Sequence, residues 1–227
     1  TILAGIKETL AHGGGILRHA KTYYWFGEHK ITGPWGNTAQ VGVHCYASED
    51  LYNWRDMGIA LCVSADRHSE IARGSIIERP KVLYNEQTGR FVMWFHLELF
   101  GQGYNAARTA VAVAKQAVGP YEFVRSCRPN AGEWPLHMGV EERKCALDAL
   151  QAGRPVDESE GSRAAYVLAR DLKAGQMARD MTLFQDDDGT AYHVHASEEN
   201  LTLHIAELTP DYCDFSGRYV RAFPGAS

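Results

Sequence analysis

The chain is poor in most of the features that would assign it to a common class. Its apolar runs, such as Ala110 to Ala114, stop far short of the ~20 residues a membrane span needs. Cysteine is scarce. The five, at 45, 62, 127, 145 and 213, are scattered and none falls in a Cys-x-x-Cys pair, which excludes a disulfide scaffold and argues against a zinc site. Their odd number leaves at least one thiol free in a monomer. Positive charge is in deficit, with 23 Lys and Arg against 28 Asp and Glu and a net charge of -5, so no global basic field invites nucleic acid. There is no G-x-S-x-G elbow and no P-loop, which removes the main signatures of serine hydrolases and NTPases. Gly101-Gln102-Gly103-Tyr104 precedes a strand pattern rather than a helix, so it is not a dinucleotide loop. No charged-then-apolar leader opens the chain, which begins at Thr1 rather than Met and stops at Ser227 just after a strand-like run. The expectation is a piece cut from a longer chain.

What is present is ordinary globular composition. Hydrophobic residues make up 45% and charged residues 22%, enough to build a core and too apolar for disorder. Aromatic content of 11% with 22 glycines leans toward strands joined by tight turns. The pattern is explicit. Gly15-Ile16-Leu17 leads into Lys21 to Glu28, then Val41 to Tyr46 and the turn Ser48-Glu49-Asp50. Lys81 to Tyr84, the turn Asn85 to Gly89 and Arg90 to His96 repeat the plan, followed by Thr109 to Ala114 and Gly119 to Phe123. Thr182-Leu183-Phe184, the turn Asp186 to Gly189 and Thr190 to His195 repeat it again, with Leu201 to Leu208 pairing with Arg218 to Phe223. Three copies of one unit, each about four antiparallel strands, are the plan of a β-propeller blade, so the fold class is all-β. The copies start near Ile16, Lys81 and Thr182. The second gap is stretched by an insertion, 127–178, in which Glu141 to Ala152 reads as a helix stopped by Gly153 and Pro155 to Ser162 as a mobile polar loop. Three blades do not close a propeller, which has roughly four to eight.

The blade starts carry the candidate chemistry. His12-Gly13-Gly14-Gly15, Glu78-Arg79-Pro80-Lys81 and Arg179-Asp180-Met181 occupy equivalent positions, and the first strand of each propeller blade lines the axis. His12, Glu78 and Asp180 are therefore expected to converge on a polar pocket. Trp25, Trp54, Trp94 and Tyr104 are core candidates that at a channel mouth would suit stacking on a sugar ring. Asp186-Asp187-Asp188-Gly189 lacks the spaced ligands of a calcium loop and reads first as a hairpin turn; a structural calcium stays open there. His193 and His195 alternate on one strand and share a face, suiting either a metal pair or hydrogen bonding in a polar core. Ser197 to Asn200 reads as a polar turn.

Taken in order, His12 to Ile16, Tyr23 to Glu28, Glu78 to Val82, Arg179 to Phe184 with its Asp-Asp-Asp-Gly turn, and Ser197 to Asn200 with Thr202 to Ile205 resemble glycoside hydrolase family 43, most of all its exo-β-1,3-galactanase and β-galactosidase branches. The resemblance implies a five-bladed β-propeller as a single domain over 1–227, an inverting hydrolase, and a carbohydrate substrate with no nucleic acid or membrane partner and no cofactor. It implies Asp180 as the carboxylate that tunes the acid's pKa, and Glu78 as a sugar-binding glutamate, with Arg79, His12, Tyr104, Arg179 and Trp25 around the sugar. It implies a secreted or periplasmic protein. The family's usual base aspartate has no counterpart at His12 to Gly15, and the acid glutamate is expected beyond Ser227. A non-catalytic carbohydrate-binding propeller, or a relative acting on arabinose or xylose, is the alternative.

Overall fold

The computed structural model describes residues 11–224 and contains three four-stranded antiparallel sheets, each in simple sequential order. The first holds β1 (Ala11–His19), β2 (Thr22–His29), β3 (Gly42–Ser48) and β4 (Arg55–Cys62); the second β5 (Ile76–Asn85), β6 (Arg90–Glu98), β7 (Arg108–Ala114) and β8 (Glu122–Cys127); the third β9 (Met181–Gln185), β10 (Ala191–Ser197), β11 (Thr202–Leu208) and β12 (Phe215–Ala222). This is the repeat expected from the sequence. Chain contacts divide the molecule into two compact units, one ending at Ser126 and one beginning at Cys127.

In the first unit the first two sheets share one core. Leu17, Phe26, Val43, Cys45 and Leu61 of the first sheet belong with Ile77, Val82, Met93, Phe95, Leu97 and Ala110 of the second. Both faces of β6 are buried, which is why it reads as a near-continuous apolar run from Phe91 to Leu97 rather than an alternation. β1 and β5 carry the same device: a β-bulge in which two residues stand opposite one. His12 pairs with Glu28 and Gly15 with Phe26; Glu78 pairs with His96 and Lys81 with Trp94. The first bulged residue is left-handed in both, Gly13 at φ +57° and Arg79 at φ +56°. Glycine adopts that conformation freely; for an arginine it costs about 1–2 kcal/mol.

The second unit holds the insertion and the third sheet. α1 (Val140–Ala152) ends at Gly153 in the left-handed conformation, the stop expected from sequence. The expected loop over Pro155 to Ser162 is shorter than predicted. Ser159 accepts a hydrogen bond from the Ser162 amide and caps α2 (Glu160–Asp171), which sequence reading missed. Its Ala164, Val167 and Leu168 are buried, and Leu168 and Ala169 join Met138 and Ala146 in a small helical core. All five cysteines are free.

Candidate active site

The bulges position a carboxylate cluster at the joined starts of β1 and β5. Lys81 Nζ donates to the Gly13 carbonyl at 2.8 Å, and the Arg79 amide donates to Glu28 Oε1 at 3.2 Å. The glycine run of β1 permits this approach: a Cβ on Gly13 would stand 2.9 Å from Glu28 Oε1, and one on Gly14 would stand 2.5 Å from the Phe26 carbonyl. Lys30 Nζ pairs with Glu28 Oε2 at 3.0 Å and donates to the Asn37 carbonyl. Burial and the neighbouring Arg79 charge bring the Lys81 ammonium down to about 8.

Glu78 stands in the middle of a chain of polar groups. Tyr104 donates to its Oε1 at 2.8 Å, Asn37 Nδ2 donates to the Tyr104 hydroxyl at 2.7 Å, and His96 Nδ1 faces its Oε2 at 3.3 Å. Behind His96, Nε2 faces Glu98 Oε1 at 2.9 Å, and the Ala107 amide donates to Glu98 Oε2. Partial burial raises the Glu78 carboxyl, but hydrogen bonds from His96 and Tyr104 and the charges of His96 and Lys30 outweigh it and hold the group below the usual carboxylate range. Tyr104 is pushed up to about 12, by desolvation first and by its bond to Glu78 second. The result is a fixed anion with a hydroxyl and an amide beside it, suited to hydrogen-bonding a polar ligand and unsuited to donating a proton.

The remaining predicted residues are distributed as follows. Arg79 is half-buried in the bulge beside Glu78, and His12 is exposed on β1 opposite Glu28. Tyr104, read both as a core candidate and as a sugar contact, is 37% exposed and bonded to Glu78. Trp94 is buried. Trp25 lies on β2, with its indole Nε1 2.6 Å from where a Cβ on Gly14 would stand. Its neighbour Phe26 enters the core, so Trp25 points to the opposite face of the sheet, where it meets Trp54 edge-on at 5.6 Å and Tyr46 at 5.7 Å. Asp180 and Arg179 belong to the second unit. There the Arg179 amide donates to the Ala196 carbonyl and the Ala196 amide donates to the Asp180 carbonyl, so both extend the β9–β10 ladder toward the turn after β10, with the Asp180 side chain exposed.

That turn is more than polar. Glu198, Glu199 and Asn200 are all left-handed, at φ 52°, 59° and 67°, and Glu198 is fully buried. Arg221 grips both Glu198 oxygens at 2.8 and 2.6 Å, His204 Nε2 faces one at 2.7 Å and Thr202 donates to the other at 2.8 Å. Glu199 is held by Arg170 of α2 at 2.7 Å. His193 and His195 are buried on one face with their Nδ1 atoms 3.0 Å apart. The Asp186 to Gly189 segment is a hairpin turn in which the Asp186 carboxylate accepts from the Asp187 amide and the Asp188 carboxylate from the Thr190 amide. Among the described residues no group of three or more His, Cys, Asp or Glu side chains is arranged to hold a metal ion.

The chain was compared with known proteins. No family model matches the chain, and no curated protein does. Solved structures do. A GH43 β-1,3-galactosidase, BT3683, solved with galactodeoxynojirimycin, is 52% identical over 96% of this chain and 63% of its own, with a TM-score of 0.89. An exo-β-1,3-galactanase from Clostridium thermocellum is 35% identical over 96% of this chain and 38% of its own, TM-score 0.69. One from Phanerochaete chrysosporium, solved with β-1,3-galactotriose, is 31% identical over 100% of this chain and 41% of its own, TM-score 0.70. The chain belongs to glycoside hydrolase family 43. It spans less than two thirds of the length of each of these relatives.

Proposed function

We propose that this chain carries the substrate-binding part of a glycosidase that removes terminal β-linked galactose from a polysaccharide or oligosaccharide with inversion. The observation that carries the reading is the ionised Glu78 with Tyr104 and Asn37 beside it, in a chain 52% identical to a β-1,3-galactosidase. Inversion needs one carboxylic acid to protonate the leaving oxygen and a base to activate water on the opposite face. Glu78 is held as an anion and is assigned to sugar hydroxyls rather than to proton donation. Asp180 is assigned as the carboxylate that sets the acid's proton affinity, with Arg79, Arg179 and His12 as sugar-binding groups. Trp25, whose indole nitrogen lies beside Gly14 of the β1 bulge, stays in that set. A five-bladed propeller is the architecture this reading implies, and a secreted or periplasmic location follows from where polysaccharide is met.

The test is turnover of an aryl β-galactoside by the intact protein and by Asp180→Asn. The variant is expected to lose about 10²-fold or more in kcat, the scale of general acid catalysis. Unchanged turnover removes Asp180 from the chemistry. Galactose binding without turnover by the native protein would favour the non-catalytic binding module instead.

A further inference from the structure

Between two ionised carboxylates, His96 has a geometry that a neutral imidazole cannot satisfy. Both ring nitrogens face carboxylate oxygens, Nδ1 toward Glu78 at 3.3 Å and Nε2 toward Glu98 at 2.9 Å. A neutral imidazole has one N–H and one lone pair, so it can serve only one of two carboxylates and turns a lone pair on the other. The ring is 2% exposed and Glu98 is fully buried, so water cannot relieve the mismatch. Glu98 is itself fixed by the Ala107 amide. The titratable groups around the ring are Glu78 on β5, Glu98 on its own strand and Tyr104 on the following loop; its register partner on β7, Thr109, is neutral.

We propose that His96 is a positioning residue, held as an imidazolium cation between Glu78 and Glu98, which locks Glu78 as an oriented anion for the sugar. Its role toward the sugar rests on the galactose reading above; its charge state does not. Burial alone would lower the affinity of His96 for its second proton, but the two carboxylates overcome this and raise it above the ordinary value. A group raised in this way keeps its proton to higher pH than a free imidazole and loses it as pH rises through the raised value. Glu78 then loses its charge partner, and affinity is lost on the alkaline side.

The experiment has two arms on the intact protein. Imidazole nitrogen NMR from pH 5 to 9, with the His96 signal assigned by its loss in His96→Gln or its displacement in Glu98→Gln, is expected to show both ring nitrogens protonated at pH 7.5. One bare nitrogen at pH 7 overturns the proposal. Galactose affinity is then followed against pH. Glu98→Gln keeps the shape and the Glu78 contact but removes one carboxylate, so the alkaline loss of affinity should begin about one pH unit lower or more. His96→Gln should weaken galactose about tenfold at pH 7. An alkaline limb that Glu98→Gln does not move makes His96 merely structural and refutes the positioning role. Native protein that binds no galactose at any pH overturns that role together with the sugar reading, while the nitrogen spectrum still decides the charge state.

Discussion

Acidification should open the second unit through its buried histidines. His193 and His195 are both completely buried, and their Nδ1 atoms approach to 3.0 Å, so one ring must donate and the other accept. Charging both rings would set N–H against N–H, and the buried Nε2 of His195 has no hydrogen-bond partner to receive a new proton's bond. Desolvation accordingly lowers His193 to about 3 and His195 well below the ordinary value. In the unfolded chain both take a proton near pH 6.5. Below that pH the unfolded state binds protons that the native state refuses, so stability is complete above pH 6.5 and falls as pH drops toward 3. At about 1.4 kcal/mol per pH unit, His193 alone removes about 2 kcal/mol between pH 6.5 and 5, and His195 acts in the same direction. Glu198 is held below its ordinary range, so the stability it contributes is lost only as pH falls below about 4.5, outside the interval from pH 7 to 5. The assay is native-state hydrogen exchange at β10 amides, which reads the opening of this unit by itself. His193→Phe keeps an aromatic ring against Phe215 and should flatten the pH dependence. An opening free energy that is level between pH 7 and 5 in the native protein would refute the reasoning.

Two further changes probe single contacts. Glu198→Gln leaves Arg221 without its buried counter-charge and should cost about 3 kcal/mol or more by urea unfolding, as expected for breaking a buried pair. Gly42→Ala places a methyl 2.0 Å from the Leu61 carbonyl at φ +128°, and a loss of about 2 kcal/mol or more should appear as a thermal midpoint several degrees lower.

The sequence by itself determined the repeat. Alternating apolar residues and turn chemistry are short-range signals, so three hairpin-based units, the Asp186 to Gly189 turn and the Gly153 helix stop could be read from neighbours alone. The signal for α2 was also present, in Ser159 followed by Ala164, Val167 and Leu168 at helical spacing, but the polar stretch before it masked the start. The chemistry was only half legible. Glu78 and Tyr104 stand out as residue types, yet His96 reaches Glu78 across 18 positions and Asn37 reaches Tyr104 across 67, through strand register and loop closure that no local pattern encodes. Which face of the first sheet Trp25 takes depends on the parity of β2, which only the packed sheet reveals. The polar stretch Ser197 to Asn200 hid a buried glutamate for the same reason. Whether a carboxylate lies in water or in a core depends on an arginine 23 residues away, and only the packed third sheet brings Arg221 to Glu198.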